Sequence, residues 1–413
     1  MFRLHSSRFH GGRRARPRLT AKIEALERRQ LFSAGPDPLT VIIGEGAAKS
    51  VQFVDASGTH ATVQLSGPGT ASVSFGGTGL TQSANMRGLV VNGAASLDSI
   101  SASGTTGGTT IQIITRGKLK TSAGDISSDG PLSALRATGV VVTGDITTGG
   151  LIHQIQLGGA QGGDISIGAA RAGGVALVAS LGSVSDESIS STGRIVVLAA
   201  SQWMNTPGSG ESITASQINV INIAHDLTAD ITTGGIGAFN VGGTLSSSTI
   251  NLTTPLVPHG VNLNRMSVGG TILDSTLVSG GSLGAISAAQ MQGSQIYAGL
   301  VALPSGQTLP LATTDFRNVA SIKSVSLRRS ASGSFVNSDV AAYMIGATSL
   351  GDVSMANGGV IFGIAAHQVQ SVTLLDESTG KSVHAVNPST TTAFNALLTA
   401  KGITPQDFVV RIV

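Results

Sequence analysis

Residues 218–223 read Ile-Asn-Val-Ile-Asn-Ile, residues 236–241 Ile-Gly-Ala-Phe-Asn-Val, residues 263–268 Leu-Asn-Arg-Met-Ser-Val and residues 283–288 Leu-Gly-Ala-Ile-Ser-Ala. Apolar side chains fill positions 1, 4 and 6 of each hexapeptide. Positions 4 and 6 alternate as on a strand with one buried face, and position 1 lies across a bend. The same template starts at Leu97, Leu132, Ile152, Ile195, Ile322, Leu350 and Val369, and several consecutive anchors lie 18 to 23 residues apart. That period is one coil of a solenoid, in which each repeat buries its apolar face only against its neighbours.

A second register is locked to the first. Ile146, Ile165, Ile231, Ile250, Leu277 and Ile296 follow their anchors by 13 or 14 residues. Two phased apolar positions imply at least two strands per coil, and the intervening Gly, Ser, Thr and Asn suit corners and positive φ. Leucine-rich repeats share the period, but their fixed Asn and dense leucines are missing, and the β-branched content favours strands on every side. The expected fold is therefore all-β: a right-handed parallel β-helix, or β-solenoid, with capped ends and a short N-terminal helical leader.

The prolines divide the chain in the same way. Between 132 and 369 they stand only at 207, 255, 258, 304 and 310, where anchor spacing is stretched. Proline cannot donate to a strand ladder, so 201–212, 251–262 and 300–318 read as insertion loops on a regular stack. From 97 to 375 the stack would hold about 13 coils, roughly 60 Å long at the usual strand spacing. Strand-like runs at 40–43, 51–54, 61–65 and 71–75 place an N-terminal β region and cap at 35–96. Phe394, Leu397 and Leu398, at helical spacing, place a C-terminal cap at 376–413.

Composition excludes several classes. Charged residues make up 11% of the 413, cysteine is absent and aromatics reach 3%. Disulfides, zinc-thiolate centres and thiol catalysis are ruled out, and the core must be aliphatic. No apolar run is long enough for a transmembrane helix. Residues 1–29 hold nine of the 25 basic residues and two of the 22 acids, which leaves 16 against 20 in the remainder. A basic leader on an acidic body reads as a targeting segment, and nucleic-acid binding is not expected.

The leader itself, 1–34, ends in a weakly amphipathic stretch with Ile23 and Leu26 on one face, stopped by Gly35, Pro36 and Pro38. Glu24, Leu26, Glu27, Arg29, Leu31, Ser33 and Ala34 resemble the LEPR-type sorting motif at the N-terminus of many large surface and secreted proteins of planctomycete bacteria. Arg28 stands where that motif has proline and Phe32 where it has leucine. The resemblance spans about a dozen residues and implies export to the cell surface or medium. Leader and repeat together resemble the repetitive β-helical exoproteins of that group.

Candidate chemistry is sparse. Gly280-Gly281-Ser282-Leu283-Gly284 fits the nucleophile-elbow pattern, yet Leu283 is a repeat anchor where the elbow needs a strand-to-helix turn. Gly380-Lys381-Ser382 lacks the first glycine of a P-loop. His225-Asp226 is an adjacent pair without a nucleophile, and the eight histidines show no ligand spacing. Trp203, the single tryptophan, falls in the first loop, where it would stack on a sugar or, as expected, cover the loop against the coil wall.

Of the 20 acids after the leader, 16 are Asp, the turn-forming choice. Asp125, Asp145 and Asp164 each stand between Gly and Ile one coil apart, and so should stack in a column. Such a column is turn chemistry or a Ca²⁺ site; the glycine-rich nonapeptide of calcium-binding β-rolls is missing, which favours turns. No other cofactor is expected.

Two functions compete. The leading expectation is a structural or adhesive surface protein, not an enzyme, that meets cell-envelope or extracellular polysaccharide or other surface proteins. The alternative is a polysaccharide lyase or hydrolase, for which Asp315 and Arg317 in the third loop, with Arg328 and Arg329 on the next coil, are the nearest charged group.

Overall fold

The computed structural model describes residues 38–413 apart from 87, 118, 169–176, 254–259 and 330–332. The leader motif at 23–34 and the middle of the second loop lie outside the described residues. Those described form one unit, Pro38–Val413, with 36 strands and a single α-helix.

From Thr110 onward nearly all pairing is parallel, each strand bonding to the strand one period later. Three ladders run through the stack. The first carries the anchors: Ile195, Ile218, Ile236, Leu263, Leu283 and Ile322 stand directly above one another. The second carries Ile126, Ile146, Ile165, Ile189, Ile213, Ile231, Ile250, Leu277, Ile296 and Val340 in one register. The third has strands of only two or three residues over much of its length, aligning Val184, Trp203, Leu227, Leu245, Ile272, Met291 and Phe335. All of these side chains are buried in one continuous core. Each contributes roughly 1.5–3 kcal/mol relative to exposure.

Two anchors sit differently from the sequence expectation. Leu97 and Ile100 belong to the second ladder, with Ile100 beside Ile126. Near the other end the first ladder passes through Ile345, Thr348 and Leu350, not through Leu350 as a first position. Thr348 occupies a core position at 2% exposure, so the apolar template skips this coil and is mimicked five residues later by Leu350, Val353 and Met355. Trp203 is likewise no loop residue. It fills the third ladder on the strand Gln202–Met204 and is fully buried, and the first loop begins only after it.

Below the coils the ladders continue as antiparallel strands. Thr110–Arg116 pairs with His60–Ser66, which pairs with Ser50–Val54. Ser96–Ser103 pairs with Thr70–Gly76, which pairs with Leu39–Gly44. Phe53 and Phe75 meet between the two layers at 5.1 Å. These strands coincide with the four runs expected at 40–75. At the far end the helix Thr391–Ala400 buries Phe394 and Leu398 against the last coil, its first turn capped by Thr390 Oγ1 accepting from the Ala393 N–H. The chain then returns as Phe408–Ile412, parallel to Phe362–Ala366, and adds one more rung to the second ladder.

Candidate functional site

The corners explain most of the polar residues. A coil corner leaves backbone N–H groups without a strand partner, and buried donors must be satisfied. Asp125, Asp145 and Asp164 do stack, one per coil, each exposed and immediately before the second-ladder isoleucines Ile126, Ile146 and Ile165. Asp125 Oδ1 accepts from the N–H of Asp145 (3.0 Å), and Asp145 Oδ1 accepts from the N–H of Asp164 (3.0 Å). Asp226 does the same for Thr244 (2.7 Å), Asp230 for Thr249 (2.7 Å) and Asp186 for Thr206 (2.8 Å). The acids are stitches between coils, and among the described residues no three His, Asp or Glu side chains converge as a metal centre.

One residue inward, the same corner carries a serine column that the sequence did not disclose. The hydroxyls of Ser248, Ser275, Ser294 and Ser338 accept from the N–H of Ala229, Ser248, Ser275 and Ser294, at 3.0 to 3.2 Å. Each donates to the carbonyl two residues before it, at 2.8 to 2.9 Å. Ser247, Asp274, Gly293 and Asn337, immediately before these serines, have φ between 42° and 59°. That left-handed turn favours Gly, Asn and Asp.

Glu187 occupies the equivalent place in an earlier coil, immediately before the second-ladder strand residues Ser188 and Ile189. Its Oε2 accepts from the Gly163 N–H (3.1 Å), while Oε1 is buried with no hydrogen-bond partner. At 1% exposure, burial pushes its carboxyl up to about 7, opposed by the Gly163 bond and reinforced by the nearby Asp164 and Asp145 carboxylates. Asn205 bridges this corner to the core. Its Oδ1 accepts from the Glu187 N–H and from Trp203 Nε1, both at 3.1 Å.

The other sequence candidates resolve individually. Ser282 lies within the strand Ser282–Ala288, and its Oγ accepts from the Ser321 N–H (3.0 Å). Gly284 is required because a Cβ there would lie 1.9 Å from the Asn264 carbonyl oxygen of the coil below. His225 bonds the Ser201 backbone carbonyl through Nδ1 (3.0 Å). Lys381 and Ser382 stand at the turn of an antiparallel hairpin, not before a helix. Asp315 Oδ2 accepts from the N–H groups of Leu311 and Ala312, which shapes its own short 3₁₀ turn. The strand Ser321–Leu327, roughly 20 Å long, separates Arg317 from Arg328 and Arg329, so this charged group does not converge.

What the third loop does build is a cleft of about 470 Å³ between itself and the outer face of the second ladder. Outward-facing positions there align Asn251, Val278, Tyr297, Ala341, Ala365 and Arg411. The two alanines leave room for Leu309 of the loop, which is buried against them. Tyr297 Oη donates to the Thr308 carbonyl (2.5 Å), and Arg411 donates to the Pro310 carbonyl (3.1 Å). Asp339, 4% exposed, bonds Thr308 and accepts from the Gly363 N–H (3.1 Å); burial pushes its carboxyl up to about 6. The loop is thus pinned over the later coils. Over the earlier ones it stands off, and Asn251, Val278, Gln295, Tyr297, Gln307 and Arg317 line the gap. None of this was legible as a motif, because outward positions on separate coils share no spacing signal.

Among the described residues, no helix is long and apolar enough to cross a membrane. No protein-family model, curated protein or solved structure matches the chain.

Proposed function

We propose that the protein is an exported right-handed parallel β-helix of the planctomycete surface type, acting as a structural or adhesive rod without a catalytic role. The observation that carries this reading is the use of the polar side chains. The column aspartates and the Ser282 and Ser294 hydroxyls accept backbone N–H groups of neighbouring coils, and Asp315 accepts those of its own turn. Catalysis needs polarised groups converging on a reacting atom. The cleft under the third loop has an arginine and amides but no carboxylate among its lining residues, which disfavours acid/base cleavage of a polysaccharide there. The Asp125, Asp145 and Asp164 column serves as inter-coil bonding and not as a Ca²⁺ site. Right-handed crossover is the general rule for parallel strands joined within one sheet. Residues 1–34 supply the export signal by their likeness to the sorting motif.

The test is to incubate the purified protein with neutral and acidic polysaccharides, with and without Ca²⁺, and follow reducing ends and unsaturated products. Binding without cleavage is the expected result; cleavage lost in R317Q would overturn the reading. Export is tested separately, by protease accessibility on intact cells of the full chain against a form lacking residues 1–34.

A further inference from the structure

We infer that the cleft between the third loop and the outer face of the second ladder is a binding site for an acidic saccharide, with its anionic group on Arg317. This rests on the adhesive reading above and adds the ligand class.

Three observations converge. First, Arg317 is an exposed guanidinium in a concave site with no acid beside it among the lining residues, and the stretch 254–259, which follows the cleft residue Thr253, contains no acid in its sequence. A planar guanidinium recognises carboxylate or sulfate through paired N–H donors. Second, Asn251, Gln295 and Gln307 bring side-chain amides to the same space. Amides both donate and accept, as sugar hydroxyls do. Gln307 Nε2 is held by the Leu309 carbonyl (3.0 Å), which fixes that amide in place. Third, Val278 and the Tyr297 ring provide an apolar floor for the C–H face of a pyranose, and the Tyr297 hydroxyl is occupied by Thr308, which holds the ring in place. The volume of about 470 Å³ falls within the usual range for organic ligand sites and exceeds what a single ion needs.

The loop wall is rigid where it matters. The Val301 N–H donates to the Asp315 carbonyl (2.9 Å), the Arg317 N–H to the Gly299 carbonyl (2.7 Å) and Asn318 Nδ2 to the Gly280 carbonyl (2.9 Å). Arg317 is therefore presented from a pinned backbone, so little ordering cost falls on binding.

The experiment is calorimetric titration of the full chain with a short oligouronate, its neutral parent, a sulfated analogue and an oligoglutamate peptide. The oligouronate or the sulfated analogue should bind with an affinity that falls as salt rises. R317Q should weaken that binding roughly ten- to hundredfold, the worth of a charge-assisted hydrogen bond, and R317K should restore part of it. Unchanged Trp203 fluorescence would show that the fold is intact in both variants. Equal affinity for the neutral parent, indifference to R317Q, tighter binding of oligoglutamate, or no binding at all would each overturn the proposal. Cleavage of a bound oligouronate would instead refute the non-catalytic reading and leave the site standing.

Discussion

Replacing Glu187 by glutamine should stabilise the protein at alkaline pH and leave it unchanged in acid. The carboxyl has an ordinary value of 4.5 and is held at about 7 in the folded chain, chiefly by burial. Below pH 4.5 both folded and unfolded chains carry the proton. Between 4.5 and 7 the unfolded chain has lost it while the folded chain keeps it, so stability falls as pH rises; above 7 the loss is complete. A shift of this size corresponds to about 3 kcal/mol. Glutamine is neutral throughout. Its carbonyl can take over the Gly163 N–H, and its amide, uncharged, can occupy the place of the unpartnered Oε1 without the repulsion that Asp164 and Asp145 exert on a carboxylate. Asp339 titrates in the same sense in both proteins and cancels in the comparison. The assay is denaturant unfolding from pH 4 to 8.5, followed by Trp203, which shares Asn205 with Glu187 and reports on this corner. The variant should gain about 3 kcal/mol on the parent by pH 8. Parallel pH profiles for the two proteins would refute the argument that Glu187 is buried as the neutral acid.

Other perturbations separate the packing terms. Trp203, fully buried, should emit at short wavelength and resist aqueous quenchers, and W203A should cost about 3–5 kcal/mol in denaturant unfolding. G284A forces a Cβ into the Asn264 carbonyl of the coil below; a fall in soluble yield and in thermal midpoint is expected, with no change if the strands could part freely. S294A removes the acceptor for the Ser275 N–H and a donor to the Gln292 carbonyl, and should cost about 1–3 kcal/mol, with faster amide exchange at Ser275.

How much of this could be read in the sequence follows from where each signal lies. The first two ladders were legible because nearly every coil places Ile, Leu or Val inward at fixed phase. The third was not: its strands Gln202–Met204, Leu227–Thr228 and Leu245–Ser246 each offer one inward side chain, too little for alternation to register. Trp203 therefore read as loop. Thr348 hid one coil by putting a hydroxyl where the template wants a hydrocarbon. The aspartate column was visible from the shared Gly-Asp-Ile sequence, whereas the serine column was masked by the abundance of serine. A buried Glu at a place where later coils have Ala229, Ser248 and Ser275 is the one anomaly that aligning the coils could have exposed. The cleft arises only after coils stack and a loop folds back.

The pinning of the third loop bears on how the molecule yields under load. A stack whose rungs touch only their neighbours loosens from its ends, one strand at a time. Here the final strand, Phe408–Ile412, is gripped twice: along its length by Phe362–Ala366, and crosswise through Arg411 by the carbonyls of a loop that leaves the stack near Gly299. Peeling the C-terminus therefore means breaking a zipper and shearing a clasp together, and a pulling experiment should record that end giving way in one step that spans several coils.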